Sequence, residues 1–455
     1  MLAYRVMRAF LRLVIRVFYR QVEVVGAEHI PQDGPVIFAG NHPNSLIDPV
    51  MIVATAGRFV HFAAKDVLFR SRLLRVFLDA LGAVPIKRRQ DHGADDAGGQ
   101  VDNSAAFDAL FEVLARGGTM GIFPEGISHD ASQLSRLKTG AARIALAMAK
   151  RHPELPVRIV PCGLNFIHRR HFRSRVLVQY GPPIEIDAER IAAHDADERA
   201  AARALTDDID QAIRALTVNA PDWSTLRVLD GVRRLYQPPR IPLAHRVELA
   251  RRFATVYERV RDEPEVVGLF GRVKSYLERL TDLGISDGDL SRPPRPGAAL
   301  LGGLRQLWWL FVWLPLAAPG VILHAPIGIL VGWSSQRFTP RKDVIGTTKL
   351  LVGVLMVLLI YAGLITTAAL TWGLAVALAT AAALPLSGFA TIRVLERTAS
   401  LRRLLTRVVR AFSLRREMAE LKSERAALEE AVLDAVERHI PDDMQPLYPE
   451  RLAAR

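Results

Sequence analysis

The chain of 455 residues has one cysteine. A lone thiol excludes a disulfide scaffold and any thiolate cluster holding zinc or iron–sulfur, and it fits a reducing compartment. Acid is scarce relative to base, 47 residues against 60, for a net charge of +13. The shortage is local. Residues 1–20 hold five arginines and no acid, residues 393–416 hold eight arginines against Glu396, and the 43 residues from Leu350 to Ile392 carry no charge at all. Charged residues still make up 24% of the chain, which excludes wholesale disorder. The basic clusters sit beside hydrophobic segments and no nucleic-acid recognition motif accompanies them. The anionic partner is therefore a membrane surface or a phosphorylated substrate, with nucleic acid excluded. A GxSxG elbow is also missing. Ser128, His129 and Asp130 are consecutive, and neighbouring side chains diverge too far to form a triad.

What is present divides the chain into segments. Arg5, Arg8, Arg12, Arg16 and Arg20 recur at helical spacing among apolar residues, so 1–20 reads as a basic amphipathic helix lying in a membrane interface. Residues 21–186 alternate short apolar runs with helical stretches, the pattern of an α/β domain. Strands are expected at Val36–Ala39, Phe59–Ala63, Ala83–Lys87, Thr119–Phe123, Arg158–Leu164 and Val176–Tyr180. Helices are expected at Leu68–Leu81 and Ser104–Ala115, with a surface loop over 89–103. A charged helical extension covers 187–290 and a proline-rich linker 291–306. The apolar stretch 307–332 is interrupted by Pro315, Pro319, Gly320 and Pro326, which predicts a re-entrant or membrane-packed segment. Residues 350–392 are long enough to cross a bilayer twice and read as a transmembrane hairpin turning near Tyr361–Trp372. The tail, 393–455, is basic and then amphipathic. Its mixed-charge helix over 417–438 is a candidate surface for self-association.

The chemistry concentrates in Gly40-Asn-His-Pro-Asn-Ser-Leu-Ile-Asp-Pro49, directly after an apolar strand. Pro43 keeps His42 out of helical torsions. Asn44 or Ser45 can cap a helix from about Leu46. Asp48 then falls in the first turn and can point back at the imidazole. A histidine oriented by a carboxylate is the general-base half of a triad. With no nucleophile beside it, the attacking group would be a hydroxyl of the substrate. Lys87 and Arg88 end another strand with two cations suited to phosphate. Phe123-Pro-Glu125-Gly126 ends a third, with Lys138 following, and Pro161 lies in a fourth. Ligands of α/β sheets bind where strands end, so these loops can converge. Cys162 reads as a small buried residue, and His168 and His171 as solvated loop histidines.

In order and spacing, the segments NHPNSLID, GAVPIKR, FPEG and IVPCG resemble the four blocks of the glycerophospholipid acyltransferase (PlsC-like) superfamily, over about residues 20–190. NHPNSLIDP, the run APDWSTLRVLDGVRRLYQP at 220–238 and KDVIGTTKLL at 342–351 resemble, more narrowly, the fungal-type glycerol-3-phosphate/dihydroxyacetone-phosphate acyltransferases. The resemblance implies a mixed α/β sheet flanked by helices, followed by a helical region and a C-terminal membrane-embedded helical region. It implies that His42 and Asp48 form the dyad, that Arg88, Glu125 and Gly126 bind the acceptor, and that Pro161 shapes the pocket. Two departures stand out. Five residues separate His42 from Asp48 where four are usual, a trait of the fungal-like subgroup. Ile127 and Ser128 replace a threonine and an arginine, and Lys138 is the candidate replacement cation.

The implied reaction moves an acyl group from a thioester, acyl-CoA or acyl-carrier protein, to a hydroxyl of glycerol-3-phosphate or its ketone analogue. Lysophosphatidate is the alternative acceptor, and a non-catalytic lipid-binding scaffold the alternative class. Lys65 is the candidate oxyanion donor, and no metal or further cofactor is called for. Basic flanks on both sides of the apolar runs place the chain in the cytoplasmic membrane, with the catalytic domain facing the cytoplasm.

Overall fold

The computed structural model describes residues 2–86, 104–291, 296–339 and 341–453. Eight strands form one mixed sheet: β1 (Gln21–Val25), β2 (Val36–Gly40), β3 (Val60–Lys65), β4 (Val84–Ile86), β5 (Thr119–Ile122), β6 (Arg158–Phe166), β7 (Arg175–Tyr180) and β8 (Ile184–Glu185). Their order is β1-β7-β6-β2-β5-β3-β4, with β8 pairing β6. The helices of the same region are α1 (Leu2–Phe18), α2 (Ile47–Thr55), α3 (Arg72–Ala80), α4 (Ser104–Ala115), α5 (Gly140–Arg151), α6 (Ala188–Ala196) and α7 (Glu198–Arg214). The six expected strands are present within a few residues. β1 and the two-residue β8 were not anticipated, because each is too short or too polar to alternate clearly. Two pieces replace the expected helix over 68–81, a 3₁₀ turn at Asp66–Arg70 and then α3.

β2 lies at the centre, parallel to β5 on one side and β6 on the other, and all five of its residues are buried. A strand covered on both faces has to be apolar throughout, as Val-Ile-Phe-Ala-Gly is. One face packs on α4, α5 and α7 through Ile37, Leu110, Leu114, Met120, Ile144 and Leu205. Pro161 sits inside β6, where a missing N–H would normally break a ladder. Here β6 changes partner: Arg158 and Ile159 pair with β8, and pairing with β7 starts at Cys162. The missing donor falls at the junction, and the Pro161 carbonyl still accepts from the Gly181 N–H at 2.9 Å.

α1 docks on the sheet domain. The Tyr4 hydroxyl donates to the Arg58 carbonyl and accepts from the Val60 N–H. Arg8 and Arg12 donate to the carbonyls of Gly57 and Ala54, at 3.0 and 2.7 Å. These carbonyls close the C-terminus of α2, which favours cations. Two of the five arginines of α1 thus bond to the domain itself. The outward stripe is apolar: Leu2, Val6, Leu13 and Val17 are exposed.

The remaining helices are α8 (Trp223–Tyr236), α9 (Leu243–Val260), α10 (Pro264–Asp282), α11 (Asp287–Ser291), α12 (Pro296–Arg337), α13 (Ile345–Trp372), α14 (Leu374–Ser413), α15 (Arg415–His439) and α16 (Glu450–Ala453). The chain forms two compact units. One comprises Met1–Trp223, Pro242–Arg252 and Arg341–Thr347, and the other Ser224–Ile241, Phe253–Pro340 and Thr348–Arg455.

Among the described residues, three helices are long and apolar enough to cross a membrane: Gly297–Arg337, Lys342–Trp372 and Leu374–Ser413. This corrects two expectations. The segment read as a linker up to residue 306 is helical from Pro296 onward. The stretch 307–332 does not break at Pro319-Gly320, because α12 runs through all three of its prolines. Proline is tolerated in apolar helices where neighbours satisfy the freed backbone groups. Without the break, the argument for entry and exit on one side loses its basis. The hairpin expected over 350–392 turns at Gly373, which has φ 85°, one residue past the expected region. α12 and α14 run in opposite directions, Gln306 beside Arg397 and Gly320 against Ser387. In α15, Met418, Leu421, Leu428 and Val432 are buried, packed with α10 and α11, and Arg425 pairs with Asp287 at 3.0 Å. The face considered for self-association is therefore used within the chain.

Gly320 is a packing residue. A Cβ there would lie 2.4 Å from the Ser387 carbonyl oxygen and from Thr391 Oγ1, whereas one at Gly328 meets nothing within 4 Å. Overpacking a closed contact costs about 1–3 kcal/mol. Gly320→Ala is expected to lower the unfolding temperature of the detergent-purified protein by several degrees, and Gly328→Ala to leave it unchanged or higher. Equal melting curves for the two variants would refute the close crossing.

Candidate active site

The parallel strands β2, β3 and β5 end on one edge of the sheet, and the loops leaving β2 and β5 meet there. Asn41 extends the β2–β6 ladder with its side chain, accepting from the Leu164 N–H at 2.7 Å and donating to the Leu164 carbonyl at 3.2 Å. This fixes the residue immediately before His42. The imidazole lies flat on Phe123, with ring centroids 4.2 Å apart and an interplanar angle of 8°. Phe123 in turn stacks on Phe62.

Asp48, in the first turn of α2, is fully buried, and its Oδ2 lies 2.8 Å from His42 Nδ1. The same oxygen accepts from the Asn44 N–H at 2.7 Å. A carboxylate acceptor places the proton of the neutral ring on Nδ1. Nε2 is then left with a lone pair, the form of a general base. Burial pushes the Asp48 carboxyl up from its usual range, while the bonds from His42 and Asn44 pull it back. The loop between them is strained, because Ser45 has φ 50°, in the left-handed region. Such a conformation costs a non-glycine residue about 1–3 kcal/mol and persists where the surroundings enforce it.

The expected cap of α2 is not formed. Leu46 occupies the N-cap with no side-chain bond, and Asn44 is drawn inward. Its Nδ2 donates to the Arg169 carbonyl at 3.1 Å, and its own carbonyl accepts from Thr347 Oγ1 at 3.1 Å.

Glu125 was expected to face the acceptor, but it is buried with both oxygens engaged. Oε1 accepts from the His42 N–H at 2.7 Å, and Oε2 from the Ser135 N–H at 2.8 Å and from His129. His129 takes the Ala131 N–H on Nδ1, so its own proton sits on Nε2. Burial alone would raise the Glu125 carboxyl, yet the bonds from His129, Ser135 and His42 outweigh it and hold it below its usual range. Glu125 therefore fixes the backbone of His42.

Gly126 turns the chain with φ 79°, and a Cβ there would lie 2.6 Å from Lys138 Nζ. That ammonium thus lies across the loop, and among the described residues no carboxylate pairs with it. Pro161 does not line the centre. Its ring contacts Gly181, and Gly163, two residues on and so on the same face, abuts Leu216. Cys162, on the opposite face, neighbours Gly40, which also meets Phe123. Lys65 ends β3 on the same edge as His42, but its side chain lies outside the described atoms. Lys87 and Arg88 lie outside the described residues. His168 and His171 are exposed.

Sequence reasoning missed Phe123 as the platform for His42, Arg169 as the acceptor for Asn44, and the segment 341–347. Phe123 was within a recognised block, but no spacing rule reveals a stacking partner. Arg341 donates to the Ser128 carbonyl and hydroxyl, and Ser128 Oγ donates to the buried Asp343 at 2.6 Å.

With the geometry described, comparison with known proteins is informative. A family model described as Acyltransferase matches residues 21–165. A second model, Glycerol-3-phosphate acyltransferase 2 C-terminal domain, matches residues 228–444. The chain is similar to Glycerol-3-phosphate O-acyltransferase 1 of Saccharomyces cerevisiae, with 28% identity covering 76% of this chain and 59% of the relative. It is 26% identical to Glycerol-3-phosphate O-acyltransferase 2 of the same yeast, over 77% of this chain and 63% of the relative. This chain thus spans about three-fifths of the length of these relatives. A 1-acyl-sn-glycerol-3-phosphate acyltransferase of Borreliella burgdorferi is 27% identical over 41% of this chain and 70% of its own. Among solved structures, the 1-acyl-sn-glycerophosphate acyltransferase of Thermotoga maritima aligns with a TM-score of 0.32 and 18% identity, over 46% of this chain and 78% of that one.

Glu125→Gln replaces an acceptor oxygen with an amide that faces donors. It is expected to destabilise the protein by about 1–3 kcal/mol, the cost of buried donors left unmatched. The stabilisation from a carboxyl held low is present above its ordinary value of 4.5 and is lost as pH falls through the depressed one. The gap between wild type and variant should therefore narrow on acidification below about pH 4.5, measured by denaturant titration. A gap that is constant with pH, or a variant whose only defect is a raised KM for the acceptor, would return Glu125 to the substrate site.

Proposed function

We propose that this chain transfers a fatty acyl group from a thioester to a hydroxyl of glycerol-3-phosphate, or of dihydroxyacetone phosphate, in phosphatidic acid synthesis. The carrying observation is the His42–Asp48 pair: a histidine set with its Nε2 as base, to which no serine or cysteine hydrogen-bonds among the described residues. His42 Nε2 takes the proton of the acceptor hydroxyl as its oxygen attacks the thioester carbonyl. Asp48 stabilises the imidazolium. The tetrahedral intermediate collapses, the C–S bond breaks, and the imidazolium returns the proton to the leaving thiolate. A positioned base contributes roughly 10²–10⁴-fold.

The ammonium of Lys138 at Gly126, together with Lys87 and Arg88, is assigned to the acceptor phosphate. Lys65 is assigned to the developing oxyanion. Support for glycerol-3-phosphate over lysophosphatidate comes from the C-terminal family match and from the extent of the yeast similarity, which runs well beyond the catalytic domain. The three apolar helices point to a membrane protein. We place the catalytic domain on the cytoplasmic side of the cytoplasmic membrane, where the thioester donor is made.

The test uses the full chain in detergent or vesicles with acyl-CoA or acyl-carrier-protein donors. The acceptors are glycerol-3-phosphate, dihydroxyacetone phosphate and lysophosphatidate, with products resolved by chromatography. Glycerol-3-phosphate or its ketone analogue is expected to be acylated with the highest kcat/KM. His42→Ala should lower the rate by about 10²-fold or more, and Asp48→Asn should leave a small residual rate. Preference for lysophosphatidate would overturn the acceptor assignment. His42→Ala activity above about a tenth of wild type would overturn the base.

A further inference from the structure

The segment Arg341–Thr347, a 3₁₀ turn running into the first turn of α13, belongs to the compact unit that holds the catalytic loops. It grips that centre at two points. Asp343, 5% exposed, accepts from Ser128 Oγ at 2.6 Å and pairs with Arg341, whose guanidinium also holds the Ser128 carbonyl. The next residue, His129, donates its N–H to the His42 carbonyl at 3.2 Å. Four residues beyond Asp343, the buried hydroxyl of Thr347 donates to the Asn44 carbonyl. The other side of Asn44, its N–H, holds Asp48 Oδ2. Between the grips, Gly346 lies so close that a Cβ would fall 2.7 Å from Asn44 Oδ1 and 3.0 Å from the Arg169 carbonyl oxygen. The strap therefore bears on the residue whose N–H meets the dyad carboxylate, at the peptide it shares with the left-handed Ser45, where the loop most needs external support.

We propose that Thr347 is a positioning residue for acyl transfer, carried by the strap Arg341–Thr347, which holds Asn44 so that its N–H and Asp48 keep His42 in register. The proposal rests on the acyl-transfer reading given above. Thr347 touches no reacting atom and acts through Asn44. Losing its hydroxyl should lower turnover while leaving substrate affinity in place.

The experiment compares full-length wild type with Thr347→Val, which keeps the shape and loses the donor, and Thr347→Ser, which keeps the donor. It measures kcat, KM for acceptor and donor, and amide hydrogen exchange of a peptide spanning residues 40–50. Thr347→Val is expected to lose about tenfold or more in kcat, since small misplacements of reacting groups cost up to about 10²-fold. Both KM values should stay within about twofold and exchange at Asn44 should be faster. Thr347→Ser should restore kcat and protection. If Thr347→Val does not accumulate, Gly346→Ala, which pushes the strap off Asn44, carries the same test. A wild-type kcat in the loosened variant, a defect confined to KM, or exchange unchanged at Asn44 would each overturn the proposal. Should wild type acylate none of the acceptors, the functional reading fails. Exchange then decides alone, with loosening at Asn44 in Thr347→Val but not Thr347→Ser upholding the strap and its absence overturning it.

Discussion

A carboxylate with no exposure to water constrains this active site. Asp48 is fully buried, and its Oδ2 is met by the His42 ring and the Asn44 N–H, while Oδ1 has no hydrogen-bond partner among the described residues. Burying a charge is costly unless donors meet it. The loop from His42 to Ile47 must therefore take the one path that delivers both donors to a single oxygen. The left-handed Ser45, the inward turn of Asn44 and the missing helix cap follow from that path. The electrostatic result is an imidazole whose tautomer is set by the fold.

Glu125 plays the complementary part for the second loop. It accepts the His42 N–H on one oxygen and the Ser135 N–H with the His129 ring on the other, so the strand ends of β2 and β5 are tied through one side chain. The two acids of the site thus divide the work on His42, Asp48 holding its ring and Glu125 its backbone. Phe123 adds a flat support that restricts rotation of the imidazole. Among the described residues no carboxylate pairs with Lys138, whose ammonium lies across Gly126.

In the second unit, packing overrides local signals. Prolines 315, 319 and 326 predict interruption, yet α12 is continuous. Helix propensity weighs little where an apolar environment makes every unpaired backbone group costly and a partner helix lies alongside. Gly320, which looks like a breaker in sequence, instead lets the backbone of α14 approach. The same holds for α15, whose leucine and valine face is consumed by α10 and α11 instead of remaining for a second chain.

The sequence by itself determined the α/β core, the His42–Asp48 pair and the apolar hairpin over 350–392. Buried central strands must be apolar, a proline after His42 bars helix, and a helix-first-turn aspartate six residues on points back at the ring. These are short-range constraints carried by residue type and spacing. Only the tertiary structure decided that Glu125 serves the backbone of His42, that Pro161 marks a change of strand partner and faces away from the centre, and that two arginines of α1 close α2. It alone brought Asp343 to Ser128 and Thr347 to Asn44, across more than 200 residues. Contacts at such separations depend on which loops the sheet order brings together, and no local periodicity encodes that order.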